Sequence, residues 1–204
     1  MVNRGRLIRS CSLLAGLLMS FSLQAAPTSG LLLDISRAGD RIVTVGDRGH
    51  ILYSDDEGTN WNLTSTPTTQ LLTAVFFVDA LNGWAVGHDA VILRTQDGGQ
   101  TWVQQYQDLE LEAPLLDIWF ADANTGFALG AYGTLLRTDN GGTDWEDVSW
   151  LLENEDGFHL NAITEVANSG LFIVGEMGAM FRSADGGESW ETVASPYDGT
   201  LFGV

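Results

Sequence analysis

Cations are scarce in this chain of 204, and three of them are regularly placed. All nine are arginines, and Arg94, Arg137 and Arg182 each stand one residue before the Ser or Thr that opens a recurring acidic segment. Against 27 carboxylates, such a row has two uses. It forms a basic stripe that grips an anionic segment of a partner, or each guanidinium pairs with a nearby carboxylate and closes its own stretch of chain. Pairs of the second kind contribute only ~0–1 kcal/mol at a surface. Local pairing is weighed slightly ahead of the stripe.

Metal and catalytic chemistry find less support. His50 follows a turn, His88 lies inside another and His159 sits in a connecting segment, so the three are not equivalent and no pair has ligand spacing. The recurring acids stand singly among Gly and hydroxyl residues, without the ladder of oxygen ligands that a calcium loop needs. No metal and no cofactor are implied. The only tyrosines are Tyr53, Tyr106, Tyr132 and Tyr197. Every strongly patterned residue recurs in several places, which suits architecture better than one asymmetric reaction centre. No catalytic residue is assigned.

Charge and the first residues set the compartment and exclude one class of partner. Arg4, Arg6 and Arg9 precede an apolar run from Leu13 to Leu23, and Ala25 and Ala26 follow, the layout of a secretory signal peptide over residues 1–25. The run is shorter than the ~20 residues of a membrane span. Cleavage after Ala25 removes Cys11, the only cysteine, and leaves 6 arginines against 27 acids, a charge of −21. The expectation is an exported protein, periplasmic or else lumenal or extracellular, without disulfides and without stable membrane insertion. A body so acidic repels phosphate backbones, so nucleic acid is excluded as a partner.

The elements that hold these residues come from a repeat. SDDEGTNW (54–61), TQDGGQTW (95–102), TDNGGTDW (138–145) and SADGGESW (183–190) align without gaps, their tryptophans spaced by 41, 43 and 45 residues. That period matches one four-stranded propeller blade. Ahead of each box run an apolar strand, a turn, a strand ending in Gly, a second turn and a third strand, as in LLTAVFFVD, NGWAVG and AVILRT. Short Val-, Ile- and aromatic-rich runs bounded by Gly, Asn and Asp predict an all-β fold. Each box is then the hairpin between the third and fourth strands. Ser54, Asp56, Gly58 and Trp61 occupy its key positions in the first blade, and Thr95, Asp97, Gly99 and Trp102 in the second. Thr138, Asn140, Gly142 and Trp145 follow, then Ser183, Asp185, Gly187 and Trp190. The acid or Asn bonds turn N–H groups, Gly supplies positive φ and Trp packs back on the blade.

Counting locates the variable part. From the opening Leu of each unit (Leu32, Leu72, Leu115, Leu160) to its box Trp is 29 or 30 residues, whereas the links onward measure 11, 13, 15 and 11. The approximate blades are 32–66, 67–110, 111–154 and 155–198 of a propeller spanning 26–204. Leu201 opens a fifth unit, so the chain reads as the N-terminal part of a larger ring. Links and second turns open on the face opposite the boxes, and length variation in repeat proteins marks the working face. Its candidates are His88, Asp89 and Tyr132 in the turns and Trp150 and Phe158 in the longest link. The core is expected from Val75, Phe77, Trp84, Ile118, Phe120, Phe127, Ile163 and Phe172, with the box tryptophans covering the outer strands.

The box S/T-x-D-x-G-x-T/S-W is similar to the Asp-box of bacterial neuraminidase repeats. The longer runs VGHDAVILRTQDGGQTW (86–102), ALGAYGTLLRTDNGGTDW (128–145) and VGEMGAMFRSADGGESW (174–190) resemble the photosystem II stability and assembly factor family. The likeness covers about residues 31–204. It departs at Tyr53, where later blades carry Arg, and at Asn140 and Asp144 in the third box. The resemblance implies a seven-bladed propeller acting without catalysis as a scaffold in assembly of a membrane complex. A protein or membrane-protein complex is then the partner. The alternative is an Asp-box glycoside hydrolase of sialidase type, whose arginine cluster and Tyr/Glu pair would lie partly beyond Val204.

Overall fold

The computed structural model describes residues 30–203, so the signal-peptide reading of residues 1–25 and the position of Val204 lie outside the described residues. Sixteen strands form four antiparallel sheets of four, each in simple sequence order. Blade one comprises β1 (Leu32–Ala38), β2 (Arg41–Gly46), β3 (Ile51–Ser54) and β4 (Asn62–Thr64). Blade two comprises β5 (Leu72–Phe77), β6 (Gly83–Gly87), β7 (Ile92–Thr95) and β8 (Val103–Tyr106). Blade three has β9 (Leu115–Phe120), β10 (Gly126–Gly130), β11 (Leu135–Thr138) and β12 (Glu146–Asp147). Blade four has β13 (Leu160–Val166), β14 (Gly170–Gly175), β15 (Met180–Ser183) and β16 (Glu191–Thr192). The all-β propeller architecture read from the repeat is the observed one, and every inner strand starts at its expected Leu. Among the described residues no helix is long and apolar enough to cross a membrane.

The core lies between blades rather than inside one. A single sheet buries only what its neighbour covers, and three apolar clusters occupy the three junctions. The second strand sends one large side chain forward from each blade: Val43, Trp84, Phe127 and Phe172 hold the same register against β3, β7, β11 and β15. Trp84 is fully buried, stacks on Phe120 with ring centroids 3.5 Å apart and donates its indole N–H to Gly141 O in the box of blade three. Phe127 lies against the box of blade four, where a Cβ on Gly187 (φ 93°) would strike its ring. That socket therefore requires glycine twice over, for space and for backbone conformation. Phe172 departs from the expected core list. It is only half-buried, because among the described residues no following box receives it.

The inner strands are stitched by a second device that alternates along the chain. Asp34 accepts the Val75 N–H at 2.8 Å, Thr73 donates to Leu115 O at 2.6 Å, Asp117 accepts the Ile163 N–H at 2.8 Å, and Asn161 donates to Leu201 O at 2.9 Å. Odd blades use an acceptor and even blades a donor. Each inner strand also carries a register irregularity just after its opening residue, which turns these side chains toward the neighbouring blade.

Candidate functional site

The box hairpins come first because they carry the most regular chemistry. In each, the N–H of the Gly at position five donates to the opening hydroxyl (Gly58 to Ser54 2.8 Å, Gly99 to Thr95 2.9 Å, Gly142 to Thr138 2.8 Å, Gly187 to Ser183 2.8 Å). That hydroxyl donates onward to Asp56, Asp97, Asn140 or Asp185. The acid or Asn accepts the N–H of Asn60, Thr101, Asp144 or Ser189 four residues later. Hydrogen bonds from Asn60 hold the Asp56 carboxyl below the usual range, and those from Ser189 hold Asp185 well below it. In blade three the two departures from the pattern are one exchange. Elsewhere the side chain of Asn60, Thr101 or Ser189 donates to the acid; here the Asn140 amide donates to Asp144 Oδ2 at 2.9 Å. Donor and acceptor have traded places and the bond is kept.

Three of the four box tryptophans pack edge-to-face on a phenylalanine. Trp102 and Trp145 meet inner-strand Phe77 and Phe120 edge-to-face, and Trp190 meets Phe127 of the preceding blade. At the inner-strand position of Phe77 and Phe120, blade four carries Glu165 and blade one Arg37. These residues make blades and junctions.

The repeated arginines lie on the same side as the boxes and are mostly engaged. Arg137 reaches Glu188 in the next box at 2.6 Å and Asp139 at 3.1 Å. Arg182 donates to Ser169 O at 2.7 Å and to Glu191 at 2.9 Å. Arg94 has no carboxylate partner among the described residues. Its guanidinium lies 5.4 Å from the Trp84 ring, burial lowers its pKa, and it lines a recess of about 260 Å³ with Gln96, Asp97, Thr101, Val103 and Gln105. A continuous free stripe is thus absent among the described residues. The fourth member of the row was not legible from the repeat, since Tyr53 holds the Arg position of blade one. Arg41 reaches the slot from β2, with its guanidinium 4.1 Å from the Tyr53 ring, bonds to Asp55, and a 3.0 Å bond to Gly98 O in the next box.

The opposite face is built from turns and links. Between second and third strands each blade makes a tight turn whose middle residue, Arg48, Asp89, Tyr132 or Met177, has φ between 52° and 58°. The link leading into the same blade runs beside the turn: His88 N–H donates to Leu71 O, Ala131 N–H to Pro114 O and Glu176 N–H to His159 O. Turn geometry is common to all blades, but the side chains displayed differ. His88 is exposed, while Asp89 accepts a bond from Gln70. Tyr132 and Met177 are 67% and 63% exposed. His159, which gave no clear signal in sequence, accepts the Tyr132 N–H at 3.0 Å and packs edge-on to its ring, joining the turn of blade three to the link into blade four.

The longest link has two parts. Val148 and Leu152 fold under into the core, whereas Trp150 is 77% exposed. The turn presenting Trp150 is pinned, since Ser149 bonds Asp147 and accepts the Leu135 N–H at 2.9 Å. Phe158 is half-buried in a second turn, where Asn154 accepts its N–H at 3.1 Å and donates to its carbonyl at 2.9 Å. Tyr132, Trp150, Phe158 and Met177 therefore belong to one side of blades three and four. His88 and Asp89 belong to blade two, and Arg94, Arg137 and Arg182 to the box side, so the candidates do not form one site.

Comparison with known proteins fits this geometry. The family of photosynthesis system II assembly factor YCF48 matches residues 56–113 and 104–198. This chain belongs to that family. A curated relative, the photosystem II assembly protein Ycf48 of Thermosynechococcus vestitus, is 43% identical over 42 residues, 21% of this chain and 12% of that protein. Among solved structures, YCF48 bound to a D1 peptide is 23% identical with a TM-score of 0.65, covering 81% of this chain and 56% of that one. YCF48 from Cyanidioschyzon merolae gives 19% and 0.67, covering 88% and 61%. An ancestral GH74 enzyme gives 16% and 0.67, covering 83% of this chain but 25% of its own. These structural likenesses show the propeller fold. The chain spans little more than half the length of the YCF48 structures.

Proposed function

We propose that the chain is a non-catalytic, exported propeller scaffold whose link face holds a protein or membrane-complex partner, in the manner of photosystem II assembly factors. The observation that carries this reading is the division between the faces. Residues shared by the blades are consumed in hydrogen bonds that build hairpins and junctions, and residues that differ between blades are the ones displayed on the link face. Family membership supports a role in assembly, and the relative solved with a D1 peptide supports a polypeptide ligand. Export rests on the Arg-flanked apolar run and Ala25.

The test is an array of overlapping peptides that spans the D1 protein, probed with the full chain. Capture of one or more D1 segments, lost on joint substitution of Trp150 and Phe158 by Ala with the melting temperature retained, is the expected result. Capture of none, or capture unaffected by that pair and abolished by Arg94→Ala, would remove the link face as the working surface. A second reading, an Asp-box glycoside hydrolase, draws on the likeness to GH74 enzymes. Release of sialic acid from sialyl-lactose, or of reducing sugar from a panel of polysaccharides, by the purified chain would favour it.

A further inference from the structure

Two recesses on the link face at the junction of blades three and four share the same three carboxylates. One, of about 240 Å³, is lined by Phe158, Met177, Phe181 and Val193 together with Glu153, Glu155 and Asp156. The other, of about 650 Å³, is lined by Trp150, Leu152 and the same three acids. Together they form one trough with an exposed indole on one bank, an apolar pocket on the other and acids between. No lining residue is basic. The acids are also little used by the protein. Thr192 donates to Glu153 at 3.3 Å, and among the described residues Glu155 and Asp156 have no ion-pair partner.

We propose that this trough is the docking site for a cationic, apolar-anchored polypeptide segment, one that carries Arg or Lys beside a large aliphatic or aromatic side chain. The inference rests on the link face being the working surface and adds the chemistry of what it takes. Charge complementarity selects the occupant. An anionic segment would bring its charge against three carboxylates with no cation among the lining groups, and a purely apolar one would desolvate those carboxylates unpaired. A guanidinium satisfies both demands, since it pairs with carboxylates bidentately and stacks on an indole face, here that of Trp150. The neighbouring apolar side chain enters the recess between Phe158 and Met177. Both banks are preorganised by the Ser149 and Asn154 bonds, so ordering costs on binding are small.

The experiment uses the full chain and three fluorescein-labelled decapeptides of alternating sequence, Arg–Leu, Arg–Ser and Glu–Leu, by fluorescence anisotropy at about 0.15 M salt. Arg–Leu is expected to bind, Arg–Ser about tenfold more weakly and Glu–Leu not measurably. Because so acidic a chain attracts any polycation, the deciding comparison is between two triple variants of equal charge. Glu153→Gln with Glu155→Gln and Asp156→Asn should weaken Arg–Leu binding by about tenfold or more, whereas Asp40→Asn with Glu57→Gln and Glu146→Gln should change it by less than about twofold. Equal weakening by both triples, equal binding of Glu–Leu, or no binding of Arg–Leu would each overturn the proposal. Trp150→Ala, at an exposed position, should weaken Arg–Leu binding without unfolding the chain, and unchanged affinity would overturn it as well. If Trp150→Ala abolishes capture on the D1 array while the trough triple leaves Arg–Leu binding intact, the working face stands and the cationic chemistry falls.

Discussion

On the box side, four hairpins of different sequence reach the same hydrogen-bonded geometry. On the link side, four turns of the same backbone geometry display Arg48, Asp89, Tyr132 and Met177. Sequence is constrained on the first side and backbone on the second. The physical difference is burial. The opening hydroxyl of each box lies in the wall of a junction, where an unpaired polar group costs ~1–3 kcal/mol, so only changes that keep every bond survive. A turn tip meets water and tolerates any side chain that can adopt its dihedral angles.

The comparison breaks most readily at a junction. Replacing Trp84 by Ala should cost about 3–5 kcal/mol, because it empties a fully enclosed socket and removes the indole bond to the Gly141 carbonyl. Phe172→Ala, at the equivalent but half-buried position, should cost about 1 kcal/mol. Urea melts of the two variants read the difference, and equal losses would mean that the junctions are not what holds the blades.

The inner strands offer a test of opposite sign in pH. Burial pushes the Asp117 carboxyl up to about 7, against its bonds from Ile163 and Ile118 N–H and with Asp34 adding repulsion. The folded state therefore binds this proton more tightly than the unfolded chain, and its contribution is present below about pH 4 and lost as pH rises through 7, on the order of 4 kcal/mol. Box acids such as Asp56 and Asp97, held low by hydrogen bonds, act the other way: their contribution is present above the unfolded carboxylate range and lost on acidification through the depressed folded value. Melting temperatures of Asp117→Asn between pH 4 and 8 should lack the decline that the parent shows.

A smaller effect sharpens the box side. Asn140→Asp sets two carboxylates together in the third box and removes the 2.9 Å bond, for a loss of about 1 kcal/mol. Adding Asp144→Thr should restore that stability by rebuilding the arrangement of the second box. A thermal-denaturation double-mutant cycle without coupling would show that the exchange carries no stability. The smallest effect belongs to the link side, where Trp150→Ala should shift stability by no more than about 0.5 kcal/mol.

Most of the architecture was legible because it is periodic. A box recurring every 41 to 45 residues, with strands that alternate ahead of it, leaves few folds other than stacked four-stranded blades. The opening Leu, the box residues and the side on which length varies all follow from local pattern and from the up-and-down course of four strands. Three-dimensional packing decided what periodicity cannot express. Arg41, from a different strand and stacked on Tyr53, reaches the next box as Arg137 does in blade three, and the Asn140 and Asp144 departures resolve into one swapped bond. The alternating stitches of Asp34, Thr73, Asp117 and Asn161 appear only when inner strands stand side by side. The candidate partner residues separate in the same way, into arginines mostly engaged on the box side and a link-face trough gathered from the longest link and the outer strands of blade four. A repeat encodes what each blade shares, through forces acting within about forty residues of chain. Which side chains meet across a junction depends on contacts between blades, and those exist only once the chain has folded.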